Sequence, residues 1–251
     1  MKLLTRNKTD VLINRLLIPK STIINQTGNN CVLIRTVVVC GSQASGKTEL
    51  FKTMVGCANE RYGSENVNAM ISKENPAGMM QSHMSGQLIQ MICVDDATNA
   101  FSKKNKDGLR QINTFFKVRH IAQKAGMTRG LIIVFFLTHR FHGIPLEFRT
   151  ESFYIVFKSL PTNPYDRNVV EKYVGGNGID DLRGISLRKE VDLSMNRFSI
   201  CYSYDGGVGL MALELKKADN ISYQLEDSEQ MLREIYADAG IDIDVLLKDS
   251  E

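Results

Sequence analysis

The chain has 251 residues, 43% hydrophobic and 24% charged, a composition that suits one large globular domain, alone or with a small appendage. Its longest apolar run, residues 131–137, is strand-sized and far below the roughly 18 residues of a membrane span, so no transmembrane segment is expected. The net charge of +3 is uneven, because residues 218–251 carry ten acids against two bases, a local net of −8 that leaves +11 on the rest.

Residues 1–30 hold Leu12, Leu16, Leu17 and Ile18 among scattered bases and read as a basic arm or a docking helix. Asn14 and Arg15 interrupt the apolar positions, so this stretch lacks the core of a signal peptide and a cytoplasmic location is expected. The valine-rich run Val32 to Cys40, stopped by Gly41, predicts a strand buried on both faces. Similar runs follow at Leu88 to Val94, Leu131 to Leu137 and Phe153 to Phe157. Between the second and third, Leu109, Ile112, Phe116 and Ile121 recur at helical steps and predict one apolar helix face. Strands alternating with helices point to an α/β core over 31–160, with a mainly parallel sheet flanked by helices.

Pro161, Asn163 and Pro164 break that rhythm, and Gly175-Gly176-Asn177-Gly178 is loop-like, so the sheet core is expected to end near Ser159. Residues 161–251 then form an extension. In it, Phe198 to Tyr204 and Val208 to Leu215 flank Asp205-Gly206-Gly207 as a hairpin, and Glu229 to Ala237 predicts a short helix ended by Gly240 in the acidic tail. Five cysteines, an odd number without a CxxC pair, sit mostly in apolar contexts, which predicts neither a disulfide framework nor a zinc site.

The chemistry is carried by Gly41-Ser42-Gln43-Ala44-Ser45-Gly46-Lys47-Thr48, a full match to GxxxxGK(S/T) placed after an apolar strand and before the helical segment Glu49 to Gly56. Glycines let such a loop curl its N–H groups around phosphate oxygens, and the following helix adds its positive end. Lys47 is expected at the β- and γ-phosphates of ATP and the Thr48 hydroxyl on Mg²⁺. A second metal group is expected at the end of a neighbouring strand; Asp95 fits that place, and Asp96 is the candidate to orient or polarise the attacking water. Thr138-His139-Arg140 ends the third strand, and either Thr138 or His139 is the candidate γ-phosphate sensor. Arg119, Arg140 and Arg149 are candidates for an arginine reaching a neighbouring subunit's site. Lys103-Lys104-Asn105-Lys106, just after Asp95-Asp96, is a basic patch, a candidate loop facing the central pore of an oligomer acting on DNA.

The P-loop at Gly41, the Asp95-Asp96 pair, Arg119-His120 ahead of a strand, and Thr138-His139-Arg140 followed by Ile144-Pro145-Leu146-Glu147-Phe148-Arg149 together resemble the FtsK–HerA class of ATPases over residues 32–160. The resemblance implies a RecA-like ring ATPase that pulls on double-stranded DNA, either a translocase or a viral genome-packaging motor working with viral structural or replication partners. This sequence has Asp96 where that class usually has glutamate, which leaves the identity of the general base open. The whole-chain layout also resembles the DnaA-like ATPases of spindle-shaped archaeal viruses, which implies an AAA+ replication initiator or loader using ATP as an assembly switch. No helical lid with a sensor arginine is legible after Phe157, so the first resemblance is preferred.

Overall fold

The structure, a computed structural model, describes residues 3–26, 31–73, 75–101 and 106–223. Five strands, β1 (Val32–Cys40), β2 (Val67–Ser72), β3 (Ile89–Val94), β4 (Gly130–Thr138) and β5 (Tyr154–Phe157), lie side by side in the order β5-β1-β4-β3-β2. All their pairings are parallel. Every residue of β3, β4 and β5 is buried, which is why these segments read as mostly apolar runs; the one polar residue inside β3, Gln90, is buried with its side chain donating to the Ser85 carbonyl at 2.9 Å and accepting from Asn68 at 2.7 Å.

Two further strands, β6 (Phe198–Ser203) and β7 (Gly207–Ala212), add an antiparallel hairpin beside β5, and β8 (Ile221–Tyr223) pairs parallel to β2 at the opposite edge. The expected end of the sheet near Ser159 is thus corrected, because the C-terminal hairpin continues the same eight-stranded sheet.

One face of the sheet is covered by α1 (Thr9–Leu16), α2 (Lys20–Ile24) and α3 (Lys47–Tyr62), with Leu12, Leu16, Ile23, Phe51 and Met54 packed on Val37, Val39, Phe135 and Leu137. The other face carries α4 (Pro76–His83), α5 (Ala97–Ala100), α6 (Lys106–Phe116), α7 (Val118–Lys124), α8 (Leu146–Thr150) and α9 (Pro164–Lys189). Within the amino-terminal segment expected as a basic arm or docking helix, the described residues form α1 and α2, packed on this face of the sheet. The segment's backbone is also tied down: Leu4 and Thr5 donate to the buried Asp181 carboxylate of α9 at 2.9 and 2.7 Å, and Asn7 bridges to Leu210 of β7.

Two other expectations change. On α6 the buried residues are Gly108, Gln111, Ile112 and Phe115, whereas Leu109 and Phe116 are 45% and 54% exposed. Gln111 can face inward because it is satisfied there, accepting from Ala77 N–H at 2.7 Å and donating to Asn75 at 3.0 Å. Downstream of Pro161 the chain forms α9, a long helical element in place of the expected loop. It is broken only at Gly175, whose φ of 69° lies outside the helical region, and it buries Val170, Val174, Ile179, Leu182 and Ile185. The helix expected at 229–237 and the acidic tail from residue 224 onward lie outside the described residues.

Candidate functional site: a phosphate cradle at the strand ends

β1 ends at Cys40 level with Thr138 of β4, and Gly41 N–H donates to the Thr138 carbonyl at 3.1 Å, so the loop Gly41 to Gly46 springs from the carboxyl edge of the sheet. Such an edge is where ligands settle in open α/β folds. Gly46 has φ of 80° and Ala44 of 56°, the left-handed turns that curl the loop. Gly41 has no room for a side chain: a Cβ would stand 2.4 Å from Ser45 Oγ and 2.9 Å from Lys158 Cβ. Among the described residues no hydrogen bond takes up the N–H groups of Gln43, Ala44 or Gly46. Donors left over at the amino end of a helix such as α3 are a geometry suited to an anion, a candidate cradle.

Lys47 is buried and extends back along the loop, its Nζ donating to the carbonyls of Gly41 at 3.0 Å and Ser42 at 2.9 Å. Burial lowers its pKa, while the charges of Asp95 and Asp96 act the other way. Glu49 is exposed in the first turn of α3 and pairs with Lys52 at 3.1 Å, so its carboxylate is turned to a neighbour on its own helix.

Asp95 and Asp96 follow β3 directly. Asp95 N–H bonds to the Ser72 carbonyl at 2.8 Å, which fixes the end of β3 to the end of β2. Asp96 has φ of 52°, a conformation its short polar side chain tolerates, and its N–H donates to Asp95 Oδ1 at 3.1 Å. Thr48 offers a hydroxyl and Asp95 a carboxylate, a hard oxygen set suited to Mg²⁺. Among the described residues no group of three or more His, Cys, Asp or Glu side chains could hold a metal, so an ion here would take its remaining ligands from water and phosphate.

At the end of β4 the two sensor candidates separate. Thr138 is fully buried, with Oγ1 2.6 Å from Thr98 Oγ1 and hydrogen bonds to the carbonyl and N–H of Arg140. His139 is exposed and places Nδ1 3.4 Å from Lys47 Nζ. Arg140 is exposed beside it and, with Gly41, Ser42, Ser159, Asn163 and Asp166, lines a cavity of 240 Å³ on the β5 side of the loop. Arg149, in α8, lies 5.4 Å over the Phe141 ring, and Arg119 stands on α7; the Nε atom of each is buried without a partner among the described residues. Of the basic patch only Lys106, which opens α6, lies within the described residues. A larger cleft, 740 Å³, opens elsewhere between α1, α3 and the segment after β7, where Lys8, Asp10, Glu60, Arg61, Glu214 and Lys216 mix both charges and Lys216 pairs with Glu60.

Sequence reasoning missed the residues that back the loop. Ser159, after β5, accepts from Ser42 N–H at 2.7 Å and donates to Ser42 Oγ at 3.1 Å. Lys189, ending α9, donates to the Ser45 carbonyl at 3.0 Å and to the Lys158 carbonyl. Lys158 is 1% exposed and donates to the carbonyls of Asn196 and Phe198, and Asn196 packs where a Gly46 Cβ would come within 3.1 Å. Burial, together with a neighbouring lysine's charge, draws Lys158 down to about 7 and Lys189 to about 8. A polar Lys158-Ser159 pair immediately after an apolar strand was a readable signal; Lys189 and Asn196 carried none.

No protein-family model and no curated protein matches the sequence. Solved structures do. The DNA-packaging ATPase from Sulfolobus Turreted Icosahedral Virus is 11% identical, covers 72% of this chain with 98% of its own, and superposes with a TM-score of 0.50. The genome-packaging NTPase of Sulfolobus turreted icosahedral virus 2, in complex with AMPPCP, is 13% identical over 72% of this chain and 98% of that one, with a TM-score of 0.48. The pCW3 conjugation coupling protein with ATPgS is 6% identical over 79% and 65% of the two chains, with a TM-score of 0.48. With its parallel five-stranded centre and a cradle at the strand ends, the chain has the α/β fold of P-loop NTPases, the fold shared with the first of these proteins.

Proposed function

We propose that the chain is a Mg²⁺-dependent ATPase of the FtsK–HerA class that acts on double-stranded DNA as an oligomeric ring, in translocation or viral genome packaging. The observation that carries this reading is the cradle itself: N–H groups at Gln43, Ala44 and Gly46 that no described residue takes up, with Lys47 buried among them. The fold shared with a DNA-packaging ATPase supports the choice of substrate, as does the excess of +11 outside residues 218–251.

In this reading the loop amides and Lys47 hold the phosphates. Thr48 and Asp95 would hold Mg²⁺, which when bound neutralises charge on the β- and γ-oxygens. Asp96 orients and deprotonates the attacking water, and His139, beside Lys47, senses the γ-phosphate. Arg140 borders its own chain's cradle, which leaves Arg119 and Arg149 as the stronger candidates to act on a neighbour.

Turnover measured with and without duplex DNA tests the proposal, with stimulation by DNA expected. Lys47→Ala should abolish nucleotide binding, whereas Asp96→Asn should bind ATP and lose about a hundredfold or more in kcat. Normal turnover by Asp96→Asn would remove that residue from the mechanism. Arg119→Ala, Arg140→Ala and Arg149→Ala, each mixed with Lys47→Ala subunits, should show which variant recovers activity in trans, and recovery by none counts against a shared site. Stable DNA binding with turnover indifferent to DNA would instead indicate the DnaA-like initiator or loader. DNA-independent turnover by a monomer would overturn both.

A further inference from the structure

Two lysines stand behind the cradle with no evident electrostatic reason to be there. Lys158 and Lys189 both donate to main-chain carbonyls, and among the described residues neither has a carboxylate partner. Lys47, a third cation, is close enough to act on Lys189. Burying ammonium groups together without counter-charge is costly, and an anion nearby relieves that cost.

The position of Lys189 is specific. Its Nζ meets the carbonyl of Ser45, and the other end of that same peptide group is the Gly46 N–H, one of the donors left open. A cation on a peptide oxygen polarises the whole amide and makes its N–H a stronger donor. Lys189 also bonds to the Lys158 carbonyl, so it fastens the loop to the end of β5. Ser159 does the same at Ser42, and Asn196 closes the outer side of Gly46.

We infer that Lys189 is a positioning residue for the nucleotide phosphates: from the last turn of α9 it holds the Ser45–Gly46 peptide and charges the Gly46 N–H toward a β-phosphate. Through it the part of the chain after β5 enters the phosphate site without touching the ligand. The inference rests on the nucleotide reading above and adds to it a dependence on phosphate number. A mere staple would steady the loop for every nucleotide alike. A polarised Gly46 N–H discriminates, because AMP has no β-phosphate to receive it.

The test uses the full chain and calorimetric titration with ADP and with AMP in Mg²⁺ at pH 7. Lys189→Gln, which keeps donors but not charge, should weaken ADP about tenfold, the scale of one lost charge-assisted hydrogen bond, and change AMP by less than about twofold. Lys189→Met should behave alike, and Lys189→Arg should stay within about threefold of the original affinity for ADP. Thermal melting without nucleotide identifies a variant that fails to fold, and Lys189→Gln decides if Lys189→Met does. Unchanged ADP affinity in Lys189→Gln overturns the inference, and so does an equal loss for ADP and AMP, the mark of a staple. If the unaltered protein takes up neither nucleotide, it is the nucleotide reading that falls, and this inference with it.

Discussion

Thr138 and His139 are adjacent in sequence and opposite in surroundings. Thr138 is the last residue of β4, fully buried, its hydroxyl joining Thr98 of α5 to the backbone of Arg140. Valine has the same shape but cannot make those bonds, so Thr138→Val strands the Thr98 hydroxyl and the Arg140 N–H. We expect it to cost about 1–3 kcal/mol, read as a lower urea midpoint at unchanged m-value. His139 sits one residue beyond the strand, in solvent and beside Lys47. His139→Ala should leave that midpoint within about 0.5 kcal/mol of its original value and lower kcat instead. If Thr138→Val keeps full stability while His139→Ala unfolds the protein, the two roles are reversed. The sequence left this choice open because both residues are polar groups at a strand end, and what separates them is that Thr138 is still covered, by Thr98 of α5, whereas His139 lies one residue past the covered strand.

Elements carried by a long, mostly apolar run were legible; those whose pattern is short or broken by polar residues or glycines were not. Gly130 opens β4 with φ of 152°, and a Cβ there would lie 2.2 Å from the Leu88 carbonyl oxygen and 2.2 Å from Met127 Cε. Gly130→Ala forces the start of β4 away from β3, and we expect a loss of about 2–4 kcal/mol in guanidinium unfolding. Asp181 ties the amino terminus to α9 through two N–H groups, and Asp181→Ala should cost about 1.5–3 kcal/mol and expose the first helix to proteolysis. A midpoint unchanged in Asp181→Ala would mean that the amino-terminal strap contributes nothing. β1 was read with its observed bounds because nine residues without a turn signal admit few alternatives. By contrast β2 was missed: Asn68 and Ser72 leave only Ala69-Met70-Ile71 as an apolar run, too short to stand out as a strand. On α6 the period was right and the face wrong, since Gln111 looks like a surface residue until Asn75 and Ala77 are seen beside it. α9 was hidden by Gly175 to Gly178, whose glycines mark a kink rather than an end. The P-loop needed no such help, because its octet encodes its own backbone geometry. The groups gathered behind it come from positions far apart in the chain, and no local pattern records that they meet.

For the whole molecule, the same burial that organises the site sets how stability responds to pH. Burial draws Lys158 down from 10.5 to about 7 and Lys189 to about 8, so between those values and 10.5 the unfolded chain binds protons that the folded chain does not. Stability therefore rises with pH across that interval, by at most about 1.4 kcal/mol per unit for a fully shifted lysine. Buried acids act with the opposite sign. Cys40 is pushed up from 9.0 to about 12, Cys93 and Cys201 are also raised, and Tyr62 and Tyr154 go from 10.0 to about 12. Above about pH 9 the unfolded chain releases these protons first, and stability falls. The two trends cross near pH 9. Guanidinium midpoints taken from pH 6.5 to 10.5 in the absence of nucleotide should climb between 7 and 9 and decline beyond. Lys158→Met should flatten the climb while leaving the decline in place, since the thiols and phenols are untouched. A climb that persists undiminished in Lys158→Met would show that this lysine carries its ordinary charge inside the fold, and that the carbonyls of Asn196 and Phe198 stabilise its ammonium enough to offset its burial.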